Sequence, residues 1–281
     1  MKLRYLLLGI FSLVTAVPLL LFWLWPHAQS MTNEVEDVRE RHLLIAEILG
    51  IALQNYHRDV TATFWLIHGS LIGQGDVEDA GKLLHDLHFR SICVFRTDSR
   101  QLHQRVDSFD DRCQEILSEA QLTLYLDLAS EGERAISPAM AGTQGEPRLY
   151  IAAQRDGLLT VGALYTDFFV DLAASIAFGR KGYAVIVDQA GQVLAHPDPA
   201  SQRERRSLAD LPVIASIRAG QAGVATFYSQ SLGTEVIAGY MPVGGTGWGV
   251  IVAQPVEELR ERAARVAGSA LIVVVIGMLA A

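Results

Sequence analysis

The amino-acid sequence predicts an α+β fold in which one long N-terminal helix carries two antiparallel-sheet modules in tandem, flanked by transmembrane helices. Three observations support this prediction: an apolar stretch at each end, a long helical pattern after the first stretch, and a strand layout that occurs twice. Half of the 281 residues are hydrophobic and 19% are charged, so the chain can bury a core. Its net charge of −8 disfavours nucleic acid as a partner, because binding phosphates needs a basic surface.

The first apolar stretch, residues 5–25, is long enough to cross a bilayer as a helix, which takes about 20 residues. Lys2 and Arg4 precede it, and positive residues favour the cytoplasmic side, so we expect the N-terminus to lie inside. A cleaved signal peptide has a shorter apolar core of about 7–15 residues. We therefore predict an uncleaved membrane anchor.

The second apolar stretch, Val266–Ala281, carries no charge and is rich in branched apolar residues. We interpret it as the start of a second transmembrane helix. With the first span, it places residues 26–265 outside the cytoplasm and makes the lipid bilayer a partner. Any catalytic output domain is expected beyond residue 281, and the portion in hand is not expected to be an enzyme.

The segment from Met31 to His68 has the pattern of one long amphipathic helix. Apolar residues recur at steps of three and four, and the segment contains no proline. This length exceeds the usual globular helix and predicts a stalk that rises from the membrane. The proposed apolar stripe comprises Val35, Val38, Ile45, Ile48, Leu49, Leu53, Tyr56, Val60 and Phe64. A short helix is predicted over Asp76–His88.

The remaining sequence contains a weak internal repeat of strands and turns. Residues 92–102 and 184–194 share a layout of apolar strand, polar turn and second strand, 92 positions apart. Each copy closes with a hairpin, whose turns we assign to Asp156-Gly157 and to Gly244-Gly245. Two such units suit two small domains in series, joined by a helix over Phe168–Phe178.

These patterns predict five consecutive regions. They are the cytoplasmic start and first span (1–30), the stalk and helical connection (31–90), a membrane-distal module with its linking helix (91–178), a membrane-proximal module (179–259), and a juxtamembrane helix leading into the second span (260–281).

The proximal half resembles a known family, the double Cache sensor domains of bacterial transmembrane receptors. The resemblance is carried by Lys181–Asp198 (KGYAVIVDQAGQVLAHPD) and by Gly247–Val252 (GWGVIV) with Pro255. Ile136-Ser137-Pro138 and Val161-Gly162-Ala163 match the distal module more loosely. The resemblance implies two PAS-like modules stacked along one long helix, a location in the bacterial inner membrane, and a homodimer.

The resemblance also implies a small-molecule ligand in the distal module. Amino-acid-sensing members of the family carry an arginine, a tryptophan–tyrosine pair and later carboxylates there. This sequence has Ala139-Met140 and Leu164 where a tyrosine and acids are expected. A small carboxylate or a neutral ligand is therefore as compatible with the sequence as an amino acid.

Five residues of the distal module are candidates for ligand contacts: Arg134, Ser137, Tyr150, Tyr165 and Asp167. The hairpin from Arg148 to Asp167 should form one wall of the pocket, on the side that faces the Ser137–Gly145 loop. Arg134 could hold an anion, the tyrosines could donate hydroxyl groups, and Asp167 could hold a cationic or hydroxyl group. Three of them have a structural alternative: Arg134 as a solvated arginine, Tyr150 as a core residue, and Asp167 as the cap of the helix that begins at Phe168.

Other site chemistry is weak in this sequence. Cys93 and Cys113 are the only cysteines and form a disulfide candidate in an oxidising compartment, with two unpaired thiols as the alternative. The eight histidines show no metal-ligand spacing, and no nucleotide-binding motif is present, so we expect neither metal nor cofactor. His196-Pro197-Asp198 is interpreted as the end of a strand.

Together these observations predict the extracytoplasmic ligand-sensing region of a transmembrane signalling receptor. By resemblance, the output would be of the histidine kinase, chemoreceptor or cyclic-dinucleotide synthase type. The alternative is a membrane-tethered binding or assembly protein without cytoplasmic output, and the sequence after Ala281 would distinguish the two.

Overall fold

A computed structural model of the chain describes residues 2–73, 80–107, 113–132, 135–141, 147–176, 180–204, 206–261 and 264, with the side chains of the first helix chiefly from Glu36 onward. That helix, α1 (Lys2–Ile72), has no break, so the predicted membrane anchor and the predicted stalk belong to one helix. Leu49, Leu53 and Phe64 of its predicted stripe are buried. Ile48 is a correction: it lies on the opposite face with 56% of its surface exposed.

The first module contains a five-stranded antiparallel sheet of order β2-β1-β5-β4-β3. Its strands are β1 (Phe89–Arg96), β2 (Leu102–Asp107), β3 (Met140–Ala141), β4 (Pro147–Arg155) and β5 (Leu158–Tyr165). Its helices are α2 (Ala80–Asp86) before the sheet, α3 (Glu119–Ser130) between β2 and β3, and α4 (Asp167–Ala174) after it.

The second module repeats this topology with the order β7-β6-β10-β9-β8. Its strands are β6 (Tyr183–Val187), β7 (Val193–Ala195), β8 (Gly223–Ser229), β9 (Thr234–Pro242) and β10 (Gly249–Pro255). Two short helices, α5 (Pro199–Arg203) and α6 (Pro212–Arg218), lie between β7 and β8, and residues 256–261 are helical after β10. The predicted arrangement of two antiparallel-sheet modules on a long helix is confirmed.

The predicted hairpin turns lie where the strands end. Asp156 and Gly157 separate β4 from β5 with φ values of 51° and 75°, the left-handed pair that a two-residue hairpin turn requires. Gly245 has a φ of 77° in the turn between β9 and β10. Because these turns set the register, they also determine which side chains share a face of each sheet.

Helix α1 packs against both sheets, and glycines allow its closest approach. A Cβ atom at Gly239 of β9 would lie 2.6 Å from the carbonyl carbon of His42, so only glycine fits beneath the helix backbone there. Further along the helix, Phe64 packs with Phe89 and Leu149 of the first module. The same core cluster includes Ala184, Ile186 and Trp248 of the second module. The two modules therefore share one hydrophobic core along the helix.

The two modules also meet through the turn between β6 and β7. Asp188 is 2% exposed, and its Oδ2 accepts a hydrogen bond of 2.8 Å from the amide of Ala139 in the first module. Its Oδ1 accepts bonds from the amides of Ala190 and Gln192 in its own turn. The side-chain amide of Gln189 donates to the carbonyl of Ile136 at 2.8 Å. Polar groups thus fasten residues 136–139 to the second module.

The described residues contain no helix with the length and apolarity of a membrane span. The second predicted span, Val266–Ala281, lies outside the part of the chain that the structure describes, as do the side chains of residues 5–13 and 15–25.

Two predicted helices differ in their bounds. The helix predicted over Asp76–His88 is described over Ala80–Asp86, and residues 76–79 lie outside the described part of the chain. The connecting helix predicted over Phe168–Phe178 is described over Asp167–Ala174, and residues 177–178 lie outside that part.

Candidate functional site

The first module contains a cavity of about 200 Å³ between its sheet and helix α3. Three strands of the sheet contribute seven of the lining side chains, which are Ser91, Cys93 and Phe95 of β1, Arg148 and Tyr150 of β4, and Val161 and Ala163 of β5. Leu117, Gln121 and Tyr125 line the opposite side. Ala141, from the described part of the 137–145 segment, also lines the cavity.

The segment that leads into α3, opposite the sheet, is joined to the sheet by a covalent bond. Cys93 of β1 and Cys113, which precedes α3, form a disulfide, and both line the cavity. Helix α3 begins with a capping box in which the Ser118 hydroxyl accepts from the Gln121 amide and the Gln121 side chain accepts from the Ser118 amide. These features hold the start of α3, and with it Gln121 and Tyr125, over the sheet.

The strongest polar feature of the cavity is Arg148, which is only 8% exposed. It precedes Tyr150 by two residues on β4, so both side chains lie on the same face of the sheet. Tyr125 lies opposite, with its ring centroid 5.3 Å from that of Tyr150. Burial raises the pKa of Tyr125, so its hydroxyl stays protonated, and the guanidinium of Arg148 acts weakly in the other direction. A buried cation beside two hydroxyl groups is suited to holding an anion.

One of the five candidates, Tyr150, lines the cavity. Ser137 is buried but is not among the lining residues. Its hydroxyl oxygen accepts from the Tyr150 amide at 2.9 Å, and its own amide donates to the Tyr150 carbonyl at 2.8 Å. Ser137 therefore positions the strand that carries Tyr150.

The other candidates have different surroundings. The guanidinium of Arg90 lies 4.4 Å from the ring centroid of Tyr165, which is not among the residues that line the cavity. Asp167 is exposed in the first turn of α4, and the N-cap is Thr166 rather than Asp167. Its charge there suits the helix dipole. Arg134 lies outside the described residues.

Arg148 lines the cavity but is not one of the five residues predicted from the sequence. Side chains alternate along a strand, so position 148 shares a face with the predicted Tyr150. An arginine within an otherwise apolar strand (PRLYIAA) was the available signal.

No group of three or more potential metal-ligating side chains occurs among the residues that the structure describes.

Comparison with protein families gives one match that spans both modules. Residues 33–263 match the family described as the Cache domain, which is more than half of the chain. Comparison with curated proteins finds no significant match.

Several solved structures share this fold. The ligand-binding domain of the Pseudomonas aeruginosa PAO1 amino-acid chemoreceptor PctB, in complex with L-Gln, has a TM-score of 0.58 and 19% identity over 78% of this chain and 92% of that chain. The ligand-binding domain of Mlp24 with asparagine has a TM-score of 0.57 and 11% identity over 85% and 99%. The extracellular domain of the presumed histidine kinase rpHK1S-Z16 has a TM-score of 0.63 and 13% identity over 83% and 97%.

Proposed function

Because this chain belongs to the Cache domain family, the ligand-sensing domains of signal-transduction receptors, we propose that its first module binds a small carboxylate in the cavity beside Arg148. The observation that carries this proposal is the burial of Arg148 in a cavity wall. A guanidinium in a cavity wall presents a planar fork of N–H donors to a ligand, and a carboxylate matches that fork. Tyr150 and Tyr125 supply hydroxyl donors to the same space.

The size and charge of the cavity narrow the ligand class. A volume of about 200 Å³ is below the ~300–1,000 Å³ of sites for drug-sized molecules, so the ligand has few heavy atoms. The solved relatives PctB and Mlp24 bind L-Gln and asparagine, which carry an ammonium group. Among the described lining residues of this cavity there is no Asp or Glu to pair with an ammonium. A carboxylate without an amino group therefore fits this lining better.

A thermal-shift titration of the purified chain with acetate, propionate and butyrate tests this proposal. We expect the melting temperature to rise saturably with ligand concentration. Arg148→Gln should lower the affinity at least about tenfold, since a charge-assisted hydrogen bond contributes about 1.5–3 kcal/mol. Arg155→Gln is the matched control, because Arg155 lies on the same strand with its side chain exposed.

Tyr150→Phe gives a second test that removes one hydroxyl and leaves the charge in place. It should weaken binding less than Arg148→Gln does. Unchanged affinity in both variants, with native circular dichroism, would place the carboxylate elsewhere.

We further propose that residues 26–265 are extracytoplasmic, on the outer side of the bacterial inner membrane, with module boundaries near 91–178 and 179–259. Lys2 and Arg4 before the first apolar stretch support this orientation. An alkaline phosphatase fusion after Arg260 should be active, and a cytoplasmic reporter at the same position should be silent. The reverse activities would contradict the topology.

We also propose a homodimer that forms through the outer face of α1. Leu44, Ile48 and Ile51 are 56%, 56% and 52% exposed and follow the four-three spacing of a coiled-coil seam. A second copy anchored in the same membrane would present an identical stripe. Cysteine introduced at Ile48 should cross-link two chains, whereas cysteine at Glu47 on the same turn should do so less. Equal cross-linking at both positions would argue against this seam.

A further inference from the structure

The second module has its own cavity, of about 110 Å³, on the face of its sheet that α5 and α6 border. Tyr183 and Val185 of β6 and Ile251 and Ala253 of β10 line its floor. The segment 206–211, between the two helices, covers it. This cavity is separate from the one that contains Arg148.

Strand register shows that the two cavities occupy the same place in the two modules. In the first sheet, Ser91 pairs with Ala163 and Cys93 pairs with Val161. In the second sheet, Tyr183 pairs with Ala253 and Val185 pairs with Ile251. All eight residues line their respective cavities, and Tyr183 and Val185 follow Ser91 and Cys93 by the 92 positions of the sequence repeat. The second cavity is thus the counterpart of the first.

The two cavities differ at the strand that carries Arg148 and Tyr150 in the first module, which is β4, and at its counterpart β9 in the second. Tyr150 pairs with Ala163, so its counterpart is the partner of Ala253, which is Ala238. The counterpart of Arg148 is Val236 by the same register. Both are buried and apolar. The buried cation of the first cavity therefore has no equivalent at this position.

Neutral polar groups line the second cavity instead. His196 is 9% exposed, and its Nδ1 accepts a hydrogen bond of 2.9 Å from the Asp198 amide, which leaves Nε2–H as the donor of the neutral ring. Burial lowers the pKa of His196 below its usual value and favours that neutral form. The Tyr183 hydroxyl lies 3.2 Å from the Ser229 hydroxyl, which lies 3.0 Å from that of Ser231.

The charged lining residues lie at the rim. Arg206 and Asp210 are exposed and have opposite charges, so their effect on the interior is small. The described floor consists of apolar side chains such as Val193 and Phe227. A charged ligand in this interior would lose its hydration without a buried counter-charge, which is costly. An uncharged ligand avoids that cost.

We propose that the second module holds a second ligand site, between Tyr183, His196 and Ser229, for a small uncharged molecule with an apolar body and a carbonyl or hydroxyl group. The apolar body packs on Val185, Val193 and Ile251, and the oxygen accepts from the imidazole or a hydroxyl group. This inference goes beyond the proposed function and does not depend on what the first cavity binds.

The probe for the experiment is butyramide, with butyrate as its isosteric charged counterpart. Both have six heavy atoms, a size suited to a cavity of about 110 Å³. The experiment uses the full chain in detergent micelles with isotope-labelled Val and Ile methyl groups, observed by NMR. Val193 and Ile251 report on the second cavity, and Val161 reports on the first.

Butyramide should shift the Val193 and Ile251 methyl signals saturably and leave Val161 unchanged. His196→Leu, which removes the donor at similar volume, should weaken this binding about tenfold, and Tyr183→Phe should weaken it by less. His103→Leu is the control, because His103 is exposed on β2.

Three results would overturn the proposal: no saturable shift at Val193 or Ile251, binding that His196→Leu and Tyr183→Phe leave unchanged, or butyrate binding there as tightly as butyramide. If butyrate shifts Val161 through Arg148 while butyramide shifts nothing, the proposed function holds and the second site alone fails.

Discussion

The two modules have the same sheet and place a cavity at the same register, but they differ in how the cavity is charged and covered. The first cavity has a buried arginine on β4 and a 12-residue helix, and the segment before that helix is joined to β1 by a disulfide. The second has apolar residues on the matching strand, a neutral histidine, and helices of five and seven residues at its border. The comparison teaches that the sheet sets where a cavity forms, whereas a few side chains set what it can bind.

The two modules are also connected by hydrogen bonds, through residues 136–139. Residues 136–139 hold the β4 strand of the first cavity through Ser137 and bond to Asp188 of the second module. Residues 136–139 therefore connect β4 with the turn between β6 and β7. At the other end of the second module, the Glu258 carboxylate accepts from the amides of Arg180 and Lys181 and ties the exit segment to the start of β6.

The largest effect is expected from breaking the contact between the modules with Asp188→Ala. This substitution removes the acceptor of three backbone amides, the buried amide of Ala139 and the half-buried amides of Ala190 and Gln192. Each buried donor left without an acceptor costs about 1–3 kcal/mol. We expect the free energy of unfolding to fall by about 3 kcal/mol or more, measured by urea denaturation. Asp210→Ala is the control at an exposed carboxylate. Equal stability of the two variants would mean that Asp188 does not join the modules.

The second prediction is that loss of the disulfide affects ligand binding in the first cavity and not in the second. Reduction of the Cys93–Cys113 disulfide, or Cys113→Ser, should lower the free energy of unfolding by about 3 kcal/mol, as expected for a loop of this length. Butyrate binding in the first cavity should weaken, because the segment before α3 loses its attachment to β1. Butyramide binding in the second cavity should not change. Equal weakening at both cavities would show that the disulfide acts on the whole molecule.

The third and smallest prediction concerns acid. Burial between α1 and the second sheet lowers the pKa of His42 from 6.5 to about 4, with Arg41 acting in the same direction and bonds to Gln254 and Ile237 opposing it. Since the folded pKa lies below the unfolded pKa, the unfolded chain binds the proton first. The contribution of the neutral ring is present above pH 6.5 and is lost as the pH falls toward 4.

We expect a loss on the order of 2 kcal/mol over that range, measured by denaturation at several pH values. His42→Gln should flatten this dependence. His68→Gln makes the corresponding change in the first module. Burial also lowers the pKa of His68, so this substitution should reduce the pH dependence of stability as well, but by less than His42→Gln does. A slope that neither substitution changes would assign the acid sensitivity to other groups.

Much of the architecture could be predicted from local sequence. The three-four spacing in α1, the turn residues Asp156-Gly157, and the 92-residue repeat each indicate structure within a short window. Tyr150 could also be predicted as a lining residue, because alternation along a strand assigns each side chain to one face of the sheet. Among the described residues of the α1 stripe, Ile48 was assigned to the wrong face, because an apolar residue on a helix is equally consistent with a core face and with a seam for a second chain.

The sequence by itself determined the long helix, the two sheet modules, their hairpin turns and the family they belong to, since these depend on periodicity and local conformational preference. Only the tertiary structure decided which polar residues share a cavity. Arg148 lines the first cavity because β4, β5 and α3 meet around it, and His196 lines the second because β6, β8 and the 206–211 segment meet around it. Burial and hydrogen bonding between residues far apart in the chain depend on the packed arrangement, and a local pattern does not contain that information.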